Sequence, residues 1–149
     1  MTLATTLSEF GLRMQQLLEA NSNALGIADG GIFYGDQERI PVSPAVCVEP
    51  NNKASELYGA GRMTQVKLTL FILVYHSEIR NITTNRLESD QLAEAICTLV
   101  NADATFFGMA IHCYVTDVTS GYSTKANTTM RASRITWEAT TQERLPNNP

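Results

Sequence analysis

The sequence predicts an α+β domain, a mainly antiparallel sheet with two α-helices packed on one face and long hairpin or loop extensions. Three observations point there. Two segments space their apolar residues as helices do, near residues 6–21 and 84–100. A long run, Arg62–His76, alternates as a strand, and two further alternating runs close the chain. The order is helix, strand, strand, helix, strand, strand, with no internal repeat and no low-complexity stretch.

The first helix begins at a capping box, Thr6 followed three residues later by Glu9. Phe10, Met14, Leu17 and Leu18 recur on one side, and Arg13, Gln16 and Glu19 fall on the other. It should end near Asn21–Asn23, with Gly26 as a stop. Residues 28–44 read as an irregular connection, because Asp29-Gly30-Gly31 signals a turn and Pro41 and Pro44 limit regular structure. Ala45–Val48 is a short strand closed by Pro50, and residues 50–61 read as a long Asn- and Gly-rich loop.

Within Arg62–His76, Val66, Leu68, Leu70, Ile72 and Val74 share a face. The other face starts polar with Gln65, Lys67 and Thr69 and turns apolar with Phe71, Leu73 and Tyr75. One half of this strand is therefore expected to be buried on one side and the other half on both. The second helix should open on Asn85 and Glu88, with Leu92, Ala95, Ile96, Leu99 and Val100 as its apolar stripe. Glu88 and Asp90 would then sit in its first turn, facing the dipole. Met109–Val118 and Met130–Thr141 form a hairpin whose tip, through Gly121, is long and polar. Residues 142–149 are a polar tail, expected to be flexible.

At 149 residues the chain reads as a single domain, able to bury a core without a staple. Its hydrophobic fraction is 44% and its charged fraction only 17%, below the usual quarter. A surface with few charges suits lateral packing. The net charge of −4 and the scatter of eleven Lys and Arg speak against a nucleic-acid-binding module. Cys47, Cys97 and Cys113 are widely spaced in apolar stretches and read as buried free thiols of a reducing compartment. No signal peptide or membrane-spanning run is apparent, and the longest apolar run is Leu70–Tyr75.

Chemistry-bearing motifs are absent: no phosphate loop, dinucleotide fingerprint, nucleophile elbow or zinc-binding helix motif occurs. Gly59-Ala60-Gly61 precedes a strand, whereas a phosphate cradle leads into a helix. His76 and Glu78 share a strand face, yet no nucleophile joins them, so His76 reads as a surface residue at a strand end. His112 and Cys113 are adjacent on a strand and point to opposite faces. Asp117 reads as a strand-end turn residue. No catalytic, cofactor-binding or metal-binding residue and no cofactor is expected.

KLTLFILVYHSEIRN, ESDQLAEAICTLV and RASRITWEATTQERLP give a long apolar strand, an amphipathic helix and a closing strand in succession. This arrangement, over residues 40–146, resembles the phage tail terminator proteins, the family of lambda minor tail protein U. The resemblance implies a virion protein of the neck, assembled in the host cytoplasm. It implies a hexameric homo-oligomer ring that caps the completed tail tube and stops polymerisation of the tail tube protein. It also implies a surface for the head-side connector or head-completion protein, with double-stranded DNA passing through the lumen unbound. Net negative charge suits that passage. The candidate assembly residues are Tyr58, Arg62, Gln65, Lys67, Arg80, Tyr122, Arg134 and Glu138. The alternatives are another head–tail joining, head-completion or tail-tube protein, and a small α+β enzyme or ligand-binding domain.

Overall fold

The computed structural model describes residues 3–58, 61–77 and 82–145, with the side chains of Tyr58 and of residues 82–85 outside that description. Helix α1 spans Leu7–Ala20 and α2 Ser22–Leu25. Strands β1 (Ile32–Tyr34), β2 (Ala45–Tyr58) and β3 (Met63–Ser77) precede helix α3 (Ile82–Asn101). Strands β4 (His112–Lys125) and β5 (Thr128–Arg144) close the fold. The five strands form one sheet in the order β1-β2-β3-β5-β4, antiparallel except for the short β1–β2 pair. The α+β reading holds.

Helix α1 starts as its capping box requires. The Glu9 N–H donates to Thr6 Oγ1 at 3.2 Å, and the Thr6 hydroxyl donates to Glu9 Oε1 at 2.7 Å. Asn21 ends α1, and Gly26, left-handed at φ 74°, ends the extra turn α2. Gly11 lets α1 lie close on the sheet, since a Cβ there would meet the Tyr34 ring at 2.7 Å. Phe10, Met14 and Leu18 are buried beneath the helix.

Val66, Leu68, Leu70, Ile72 and Val74 are fully buried against the helices. Each such side chain contributes about 1.5–3 kcal/mol relative to exposure. Trp137 of β5 anchors this core, its ring 5.8 Å from that of Phe10 and 4.8 Å from that of Phe106. Phe106 and Phe107 are both left-handed, in a turn held by Asp103. Its carboxylate accepts the N–H of Thr105 at 3.0 Å and of Phe107 at 2.7 Å, and these bonds hold its pKa below the usual carboxylate range.

A second, smaller core lies on the opposite side of the sheet. Cys47, Tyr75 and Met130 are buried there with Phe33, Ile40, Leu73 and Ala132 packed around them. The connection over residues 35–44 covers them. Gly35 N–H donates to Val48 O at 2.7 Å, and Ser77 N–H to Ser43 Oγ at 2.9 Å. The expectation that half of the long strand is buried on both faces is met only in part: on the second face Tyr75 is buried, whereas Phe71 and Leu73 are half-buried.

Several expected boundaries move. Residues 50–58 are not a loop, because β2 continues to Tyr58 and pairs with β3 down to Met63. Pro50 is tolerated because β2 has lost its β1 neighbour there and is an edge, so no ladder bond needs the missing N–H. The hairpin over residues 112–144 has no long polar tip. Strands β4 and β5 pair up to Lys125↔Thr128, and the turn is two residues, Ala126 and Asn127, at φ 48° and 67°. Met109–Ile111 precede β4 rather than belong to it.

The tail is shorter than expected as well. Residues 142–144 pair with Met63–Gln65, and Leu145 N–H donates to Arg62 O at 2.8 Å, while 146–149 lie outside the described residues. Helix α3 is already helical at Ile82, so Asn85 lies inside it rather than at its cap, and Glu88 and Asp90 are beyond its first turn. Asp117 sits at a β-bulge within β4, not at a strand end.

Candidate assembly interface

Register places the expected assembly residues in groups. Gln65 and Lys67 on β3 and Arg134 and Glu138 on β5 share the sheet face turned away from the helices. Lys67 and Arg134 are exposed, and Gln65 and Glu138 are half-buried. The Arg134 guanidinium lies 4.8 Å from the centre of the Phe71 ring, which covers an apolar side chain with a charge. Thr69 and Thr136 complete a face of mixed charge and hydroxyls. The 35–44 connection covers the other end of this same face.

The remaining candidates lie elsewhere. Tyr58 pairs with Met63 at the free end of the β2–β3 hairpin, and its side chain is outside the described residues. Arg62 is in that turn, left-handed at φ 59°. Tyr122 is on the helix side, across β5 from His76, roughly 45 Å along the sheet from Arg62. It is held by its own domain: Arg86 Nε donates to its hydroxyl at 3.1 Å, and the Arg131 guanidinium lies 5.2 Å from its ring centre. Arg80 and Glu78 lie outside the described residues, as do Gly59 and Ala60.

The long strand β3 has no free edge, because it is paired along its length with β2 and β5. The free edges belong to β4, to the short β1, to β2 beyond Val48 and to β5 beyond Thr140. On β4 the first outward groups are capped, with Cys113 N–H donating to Ala104 O at 2.9 Å and Val115 N–H to Asn101 Oδ1 at 2.9 Å. Past the bulge, the closing pair Lys125↔Thr128 sets the alternation, so Val118, Ser120, Tyr122 and Thr124 turn their backbone outward. Along β2 the same alternation turns Lys53, Ser55 and Leu57 outward beyond the bulge at Pro50/Asn52. None of these N–H groups has a partner among the described residues.

Apart from Val118, these edge residues fall in stretches that the sequence reads as loops rather than strands. The signal was the β-branched and aromatic alternation in VTSGYSTK, masked by its hydroxyls and Gly121.

The titratable groups are dispersed. His76 is buried rather than exposed, because α3 covers the strand end where it sits. Burial pushes its pKa down, and Glu88 partly opposes the shift. Its Nδ1 has no partner among the described residues. His112 is exposed while Cys113 is buried, its Sγ donating to Asp103 O at 3.3 Å, so the two do not meet. Burial raises the Cys113 thiol to about 11, and it raises Cys47 and Cys97 as well. All three cysteines are free, and Cys97 is only partly buried. Among the described residues no three His, Cys, Asp or Glu side chains converge as a metal set, and no helix is long and apolar enough to cross a membrane.

The chain matches no protein-family model, and a search of curated proteins returns no match.

Proposed function

We propose that this chain is a structural subunit of the phage neck that assembles into a ring, caps the completed tail tube and joins it to the head-side connector. One observation carries the proposal: the edge strand β2 runs out from under the helices. Along β2, every residue from Asn51 to Leu57 is exposed although Asn52–Leu57 are paired with β3. An edge strand with both faces in water has no use within the subunit, and assembly would cover it. The mixed-charge face around Lys67, Arg134 and Glu138 adds a second uncovered surface. The resemblance of the apolar strand, helix and closing strand to tail terminators supplies the identity of the assembly, and the acidic balance suits a lumen that DNA traverses.

Native mass spectrometry and electron-microscopic views test this reading. The expected result is a six-membered ring with a central hole that binds tail-tube ends. A chain that stays monomeric at high concentration and has no affinity for tubes would overturn it. Rings that bind the head connector alone would assign the chain to head completion instead.

A further inference from the structure

We infer that neighbouring copies join by strand addition, the outward edge of β4 at 118–124 on one subunit pairing antiparallel with the outward edge of β2 at 53–57 on the next. The inference rests on the ring reading and names the contact that builds it. The two edges are open at different heights of the sheet. Ser55 lies level with Val66 of β3, whereas Ser120, through Ser133, lies level with Val74, eight residues further along. β1 and Pro50 block β2 at the level where β4 is free, the Asn101 and Ala104 contacts block β4 at the levels of Pro50 and Lys53, and beside Ser55 and Leu57 the sheet ends on β5. A staggered neighbour therefore meets only open backbone, with its 126–127 turn next to Pro50.

Parity and side chains agree with the pairing. On β4 the outward-turned residues carry their side chains on the helix side, and so do those of β2. Direct partners in a ladder share a face, so the extended sheet keeps all helices on one side, as rotational symmetry demands. The register that sets Ser55 against Ser120 places Leu57 against Val118 and Lys53 against Tyr122. Leu57 and Tyr122 are among the most exposed large apolar side chains, at 61% and 47%, and Val118 is 38% exposed. Unpaired edges of this length otherwise invite uncontrolled association, and closure removes them. Closure without axial climb inclines the strands roughly 55° to the ring axis, given eight residues of stagger over four strands.

The test uses the full chain. Glu56 and Thr119 become a non-hydrogen-bonded pair across the new contact, a spacing that suits a disulfide. In a Cys97→Ser background, Glu56→Cys with Thr119→Cys should give, after diamide, a covalent ladder ending at the ring number, while each single variant stays monomeric on a non-reducing gel. Ser120→Pro removes one outward N–H that the subunit itself does not use, together with the 3.4 Å contact between the Ser120 and Ser133 hydroxyls, and should weaken ring formation at least tenfold with only a small fall in melting temperature. Rings that form without the cross-link, or that survive Ser120→Pro unaltered, overturn the pairing and leave the ring reading standing. Absence of any oligomer in the parent chain overturns both.

Discussion

Tyr75 Oη donates a 2.8 Å hydrogen bond to Asp36 Oδ1, tying the central strand to the connection that covers the second core. Lys125 Nζ donates to the other oxygen at 2.8 Å, so Asp36 joins β3 to the β4–β5 turn. Burial, and then this bond to Asp36, raise the Tyr75 pKa, keeping the phenol a donor. Tyr75→Phe should cost about 1.5–3 kcal/mol, the typical net worth of a hydrogen bond to a charged group. Hydrogen exchange should quicken over residues 35–43 and remain unchanged in α1. A uniform rise over the whole chain would contradict this local role.

Ala126 occupies a left-handed turn position that a side chain without a local hydrogen bond disfavours. Ala126→Asn combined with Asn127→Gly supplies the preferred two-residue turn. Urea denaturation should show a gain of about 1 kcal/mol. A loss would mean that the turn is not of this type.

Two substitutions three residues apart should behave oppositely. Leu70 is fully buried under the helices, so Leu70→Asp places an unpaired charge in the core and should leave the chain unfolded by circular dichroism. Lys67 is exposed on the open face, so Lys67→Glu should keep the melting temperature within ~2 °C and weaken assembly with its neighbours. Normal rings and normal tail lengths with Lys67→Glu would remove that face from the interface.

His76 makes stability depend on pH in a stated direction. Its pKa in the folded chain lies below the ordinary 6.5, so the unfolded chain takes up the proton first as pH falls. The stability it protects is present above about pH 6.5 and is lost as pH falls through the folded value. His76→Gln should flatten the decline in urea midpoint between pH 7 and 5. An identical decline in parent and variant would show that His76 is not the group responsible. Asp103, with its pKa held low, adds a further loss only in more acidic solution.

The sequence by itself determined the class of fold, the helix under Thr6 and Glu9, and the two faces of β3. These follow from capping chemistry and side-chain period, which act over a few residues. Alternation, which is local, also groups Gln65 with Lys67 and Arg134 with Glu138, while the β3–β5 register brings the two pairs to one face. Only the tertiary structure decided where strands end and which edges stay open. Lys53–Leu57 and Ser120–Thr124 are polar and carry little strand signal of their own. They are extended because β3 and β5 offer them a ladder, and a partner's backbone hydrogen bonds are indifferent to side-chain polarity. His76 shows the same limit: its position in the chain suggests an end in water, and only the packing of α3 over that end buries it.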